Sequence, residues 1–179
     1  MINDKDTGLI LIDVQGKLAR MVAESETLIA NIEKLIKGCQ VLGIPIIWLE
    51  QYPEGLGKTV PELAKLLTNQ SPIEKQFFNA LAEKEVKNEI IKLDKSNWLV
   101  CGIEAHICVY QTVMALIAKK FYVEVVADCI SSRKKSSIDI ALNKLREKGA
   151  GITNVEMCLY ELLKDSKRDA FKKVLAFIK

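Results

Sequence analysis

The stretch NWLVCGIEAHICVYQTVMALIAKK, Asn97–Lys120, decides how this chain is read. Its first part, Trp98-Leu99-Val100-Cys101, is an unbroken apolar run, and a short connector from Gly102 to Ile107 follows. From Cys108 onward, apolar groups recur at Val109, Thr112 (through its methyl), Val113, Leu116 and Ile117, the spacing of one helix face. The pattern is a buried strand, a tight turn and a helix that opens on a thiol. Backbone N–H groups at a helix N-terminus are unpaired and carry the positive end of the dipole, which favours thiolate over thiol. Cys108 is therefore a candidate nucleophile. The competing reading is a small buried hydrophobe, the usual state of a free cysteine.

Upstream, Thr7-Gly8-Leu9-Ile10-Leu11-Ile12 is a second apolar run, and it ends in Asp13. A strand apolar on both faces belongs inside a parallel sheet covered by helices. An acid at its carboxyl end lies where such sheets place their ligand crevice, and it equally suits a cap for the turn Val14-Gln15-Gly16. Ser25 is an N-cap candidate for a helix that turns Leu28, Ile32, Leu35, Ile36, Cys39 and Leu42 inward and stops at Gly43. Pro45–Leu49 reads as the next strand, and Glu50–Gly57 as a polar loop over the same end of the sheet. Pro61 opens a short helix through Leu67. Ser71–Phe78 reads as a short strand or an extended loop, with Lys75 bracketed by apolar residues.

A helix with Val86, Ile90, Ile91 and Leu93 inward precedes the central stretch. After it come a strand over Tyr122–Ala127 that ends in Asp128, the loop Ser131-Ser132-Arg133, and a helix with Ile138, Ala141, Leu142 and Leu145 inward. Gly151–Thr153 is a short last strand, followed by helices over Val155–Leu163 and around Phe171, Val174, Leu175 and Ile178. The β-α-β-α alternation implies an α/β fold, with helices on both faces of a parallel sheet and right-handed crossovers.

Length and composition narrow the function classes. A chain of 179 residues that is 49% hydrophobic and 27% charged is read as one domain, 1–179, with a sizeable core. A net charge of +3, with Lys scattered beside Glu, gives no basic patch for nucleic acid. No apolar run reaches the roughly 20 residues of a membrane span, and the N-terminus shows no basic-then-apolar leader. The five cysteines, Cys39, Cys101, Cys108, Cys129 and Cys158, are odd in number and scattered, as expected of reduced thiols in the cytoplasm. With one histidine, His106, a two-histidine metal site cannot be built within one chain, and no metal or other cofactor is expected.

Three segments share one known pattern: LILIDVQ with Asp13, EKQFFNAL with Lys75, and GIEAHICV with Cys108. Together they resemble the isochorismatase-like cysteine hydrolase superfamily, and more narrowly its small branch of isochorismatase domain-containing proteins. EQYPEGLGKTVPEL and VVADCISSR fit that branch too, so the resemblance spans nearly the whole chain. It implies a three-layer α-β-α, Rossmann-like fold around a six-stranded parallel sheet of order 3-2-1-4-5-6. It also implies a catalytic triad, with Asp13 as general base, Lys75 as the cation near the thiol and Cys108 as nucleophile. A lysine plus a helix N-terminus is expected to lower a thiol from its ordinary pKa of ~8.5. By the same resemblance the Ile103–Glu104 peptide is cis, and the backbone N–H groups of Glu104 and Cys108 form the oxyanion hole.

Nicotinamidase-like relatives bind metal through an Asp and two histidines, and true isochorismatases lack the nucleophilic cysteine; this chain fits neither. The resemblance therefore implies hydrolysis of a C–N bond, in a small amide or carbamoyl compound, through a cysteine thioester. Gln51 and Phe78 are the candidate substrate-pocket residues, and His106 is expected in a turn or interface. A homo-oligomer, a dimer or larger, is expected. Two alternatives compete: a non-enzymatic binding or scaffold protein that keeps the fold, and a thiol redox protein, which ranks last because no C-x-x-C occurs.

Overall fold

Strand β1 (Thr7–Ile12) is buried along its whole length, because parallel neighbours flank it and helices cover both its faces. The computed structural model describes residues 1–178. The other strands are β2 (Ile46–Gln51), β3 (Ile73–Lys75), β4 (Asn97–Ile103), β5 (Tyr122–Ser131) and β6 (Gly151–Thr153). All are parallel, in the order β3-β2-β1-β4-β5-β6, so the expected 3-2-1-4-5-6 sheet is the one observed.

The helices are α1 (Leu18–Met21), α2 (Ser25–Leu42), α3 (Pro53–Leu56), α4 (Pro61–Ala64), α5 (Lys84–Leu93), α6 (Tyr110–Ala118), α7 (Lys135–Glu147), α8 (Val155–Leu163) and α9 (Asp169–Ile178). Successive strand residues face opposite sides, so the sheet divides the core in two. Leu9, Leu11, Leu99, Cys101 and Ile103 pack with residues of α2, α8 and α9. Ile10, Ile12, Trp98 and Val100 pack with residues of α5, α6 and α7. Four thiols, Cys39, Cys101, Cys129 and Cys158, lie in the first layer, and Cys108 lies in the second.

Several local expectations change. Ser25 is the first residue of α2 rather than its cap; the left-handed Glu24 holds that position, and the Ser25 hydroxyl donates to the Ala19 carbonyl at 2.6 Å. Gly43, with φ of +70°, ends the helix as its sequence position implies. Ile91 points outward at 74% exposure, since the narrow apolar stripe of α5 is completed by Val86 and Ile90. The helix expected through Leu67 stops at Ala64. The segment Glu50–Gly57 is not one open loop: β2 runs on through Gln51, and α3 occupies most of the rest.

Ser71–Phe78 contributes β3, the edge strand whose last residue is Lys75. β5 does not end at Asp128. Its pairing with β4 slips between Val100 and Gly102, and the strand resumes at Ile130 and Ser131. Asp128 sits in that irregularity and accepts the Val155 N–H at the start of α8. Gly102 adopts φ of +121° against β1, where a side chain would collide with the Ile12 carbonyl.

Candidate active site

Because all six strands run the same way, their carboxyl ends form one rim, and four segments deliver polar side chains to it. Asp13 follows β1 in a left-handed conformation with φ of +54°. Gln51 and Lys75 end β2 and β3 and stand in register with each other. Cys108 lies beyond β4, inside a single π-helical turn, Ala105–Val109, that runs into α6.

Lys75 is only 1% exposed. Its Nζ approaches Asp13 Oδ2 at 2.7 Å and donates to Gln51 Oε1 at 2.6 Å and to the Phe77 carbonyl at 3.2 Å. The Asp13 approach is a charge contact without hydrogen-bond alignment, and neither Asp13 carboxyl oxygen has an aligned donor. The Cys108 thiol lies beside both Asp13 and Lys75, close enough for each to act on its ionisation. Residues 13, 75 and 108 thus meet, although they come from separate segments of the chain.

The electrostatics differ from expectation at Cys108. Its thiol is pushed up to about 12, first by burial and then by the adjacent Asp13 carboxylate, while Lys75 acts in the opposite sense. The expected lowering fails for two reasons: the lysine charge is already balanced by Asp13, and the thiol is withdrawn from water. Burial also raises Asp13 above the usual carboxylate range; Lys75 and the Cys108 thiol oppose that, and Glu50 adds to it. A thiol held up in this way calls for a base beside it rather than a preformed thiolate.

The Ile103–Glu104 peptide is cis. The Glu104 carbonyl accepts the N–H groups of Ile107 at 3.0 Å and Val109 at 3.3 Å, which curls the backbone under Cys108. The buried Glu104 carboxylate accepts the Arg133 backbone N–H at 3.0 Å and its Nε at 3.1 Å, tying the turn to the loop after β5. His106 is a turn residue whose Nδ1 lies 2.9 Å from the Ser132 hydroxyl. Glu104, His106, Arg133, Lys134 and Ser137 line a cleft beside this turn.

The two candidate pocket residues behave differently. Gln51 has its amide oxygen on Lys75 and its amide nitrogen on the Gln76 carbonyl at 2.7 Å, so it faces the lysine rather than an open pocket. Phe78 is 54% exposed, next to Phe77 at 56%. Asp128 takes no part in this cluster. Sequence reasoning passed over Gln15 as a turn residue, yet it is fully buried and braces Gln51. Arg133, in a loop by its sequence, anchors the Glu104 carboxylate. A polar residue two positions after a strand-ending acid was the only signal for Gln15.

Comparisons with known proteins identify the family and the fold. A family profile described as the isochorismatase domain matches residues 7–157. Isochorismatase domain-containing protein 2 of Danio rerio is 33% identical over 173 residues, covering 97% of this chain and 87% of that protein. Among solved structures, the MAR1 ribonuclease of Caenorhabditis elegans superposes with a TM-score of 0.93 at 33% identity, covering 99% of this chain and 91% of that one. The Escherichia coli YcaC product, described as an octameric hydrolase of unknown specificity, superposes with a TM-score of 0.93 at 20% identity, covering 98% and 89%, a likeness of fold.

Proposed function

The chain belongs to the isochorismatase family, and from that premise we propose that it is a cysteine hydrolase cleaving a C–N bond of a small amide or carbamoyl compound. The observation that carries the reading is the buried Asp13–Lys75 pair, 2.7 Å apart, with the Cys108 thiol beside both. As Sγ attacks the carbonyl carbon, Asp13 takes the thiol proton. The oxyanion is received by the backbone N–H groups of Glu104 and Cys108, worth about 10²–10³ in rate per donor. Collapse breaks the C–N bond, and the amine leaves with the proton from Asp13. Water then attacks the thioester as Asp13 accepts its proton; collapse breaks the C–S bond, the acid product leaves, and Asp13 returns the proton to sulfur. Lys75 stays charged throughout and offsets the negative charge that moves between Asp13 and sulfur. With one histidine in the chain, a two-histidine metal set cannot be assembled, and the reaction is assigned to these three residues.

A homo-oligomer is part of the proposal. The octameric description of the E. coli neighbour and the exposed Phe77 and Phe78 beside the site support it. A reducing, cytoplasmic setting suits five free, buried cysteines. No helix among the described residues is long and apolar enough to cross a membrane.

A panel of small amides, ureido acids and carbamoyl compounds, read out by released ammonia or amine, tests the reaction. The expected result is turnover by the unmodified chain that is lost in Cys108→Ser, with a mass increase on Cys108 when the thioester is trapped by acid quench. An RNA arm belongs in the panel because of the nematode relative's designation. Cys108 is 7% exposed, which suits a small acyl group better than a polynucleotide. A fully inactive chain whose Cys108 resists every acylating probe would favour the scaffold alternative.

A further inference from the structure

Two buried glutamines near the triad have no role in the chemistry above. Lys75 carries three N–H bonds and no acceptor. Two of them are directed to neutral oxygens: Gln51 Oε1 at 2.6 Å and the Phe77 carbonyl at 3.2 Å. The third has no aligned acceptor, and the ammonium meets Asp13 Oδ2 as a charge contact at 2.7 Å with the Cys108 thiol beside it, so the two bonds to neutral oxygens are what hold it there.

Gln51 cannot turn its amide over. Its Nε2 donates to the Gln76 carbonyl at 2.7 Å, and a flip would set an NH₂ group against the ammonium. Its backbone is clamped as well. The Gln51 N–H donates to Gln15 Oε1 at 2.6 Å, and Gln15 Nε2 donates to the Gln51 carbonyl at 3.1 Å and to the Gly57 carbonyl at 2.6 Å. Gln15 closes the same tight turn as Asp13, donating its N–H to the Asp13 carbonyl at 2.8 Å. One turn after β1 therefore carries both the carboxylate and the brace for the lysine's partner.

We propose that Gln51, held by Gln15, is a positioning residue that aims the Lys75 ammonium at the Asp13–Cys108 pair; this rests on the cysteine-hydrolase reading above. An amide is suited to the task because it accepts a hydrogen bond from Lys75 without adding charge. A carboxylate in its place would draw the cation away from Asp13 and add a second anion beside the thiol. A hydrophobe would leave one ammonium proton free to rotate the group out of line. Either change leaves Cys108 harder to ionise.

The test needs no substrate. The full chain is alkylated with iodoacetamide between pH 6.5 and 9, and each of the five cysteines is quantified by peptide mass spectrometry. The four thiols of the opposite core layer serve as an internal gauge of folding. The expected result for Gln51→Met is a fall in the Cys108 rate at pH 8 of about tenfold, the change in thiolate fraction for one pKa unit, with Cys39, Cys101, Cys129 and Cys158 still protected. Gln51→Glu, which keeps an acceptor in place, is expected to lower the Cys108 rate at least as much. A merely structural role predicts the reverse: Cys108 labelling unchanged or faster, and the four core thiols exposed.

If Gln51→Met loosens the fold by that gauge, Gln51→Glu decides, and a Gln51→Glu rate within twofold of the unmodified chain overturns the proposal. Asp13→Asn and Lys75→Met are run alongside. If neither changes Cys108 alkylation, the triad reading fails. If both change it and the Gln51 variants do not, only the positioning role fails.

Discussion

Lys75 Nζ and Asp13 Oδ2 lie 2.7 Å apart, with the two side chains 0% and 3% exposed. A buried ion pair gains little over a hydrophobic replacement of both partners, but losing one partner strands the other charge. Lys75→Met is expected to abolish turnover and to lower stability by about 3–5 kcal/mol at neutral pH. Urea unfolding at pH 7 measures it. A loss below 1 kcal/mol would mean that Asp13 is comfortable without its cation.

Cys108→Ser and Cys101→Ser separate chemistry from folding. Serine at 108 keeps the shape but cannot be ionised by Asp13 at neutral pH, so turnover should nearly vanish while thermal stability shifts little. Cys101 is fully buried in β4 among apolar neighbours, where a hydroxyl without a partner costs about 1–3 kcal/mol. That variant should melt earlier, with turnover per folded molecule preserved. Near-normal turnover in Cys108→Ser would remove the nucleophile assignment.

Arg133 and Glu104 form the link between the loop after β5 and the turn under Cys108. Arg133→Met leaves the Glu104 carboxylate with only the residue-133 backbone N–H. A cost of about 1–3 kcal/mol follows from the lost charge-assisted bonds, kept moderate because Arg133 is half exposed. If Glu104 helps to place an oxyanion donor, kcat should fall by about 10² with KM changed much less. Steady-state kinetics on a substrate found in the panel, with a melting curve as control, reads both effects. An unchanged kcat would detach this ion pair from catalysis.

Alkaline pH should unfold the protein earlier than carboxylate chemistry alone would. All five thiols are raised above their ordinary value of 9.0, Cys108 to about 12, with burial as the first cause in each. Unfolded thiols release protons near pH 9 while the folded ones hold them, so the folded state binds more protons there. The thiol contribution to stability is then fully present below pH 9 and is lost as pH rises toward the folded values. Each thiol contributes a slope of about 1.4 kcal/mol per pH unit. Urea midpoints at pH 7, 9 and 10.5 should fall slightly over the first interval, by about 2 kcal/mol in all for five thiols, and several times more steeply over the second. A flat profile throughout would show that the core thiols ionise in place.

Much of the architecture was legible along the chain because burial on both faces of a strand leaves a local trace. Thr7–Ile12 and Trp98–Cys101 are unbroken apolar runs, and both became inner strands, since a parallel sheet with helices on each side allows no polar face. Gly43 marked the end of α2 because few other residues adopt the left-handed conformation there. Cys108 and Asp13 are candidates from their places at a helix start and a strand end, whereas Lys75 and the three residues' joint roles rest on the resemblance.

What only the tertiary structure decided concerns partners far apart in sequence. Lys75 looks like any lysine on a short edge strand until the crossovers place β3 beside β2 and bring Gln51, Asp13 and Cys108 around its ammonium. Gln15 looks like a turn residue until its amide closes on Gln51, 36 positions away. The thiol of Cys108 was expected to be acidic from its place near a helix start, and it is pushed upward instead. A helix terminus is written in the local sequence, whereas burial and an adjacent carboxylate are properties of the assembled fold, and at this cysteine they push the thiol up.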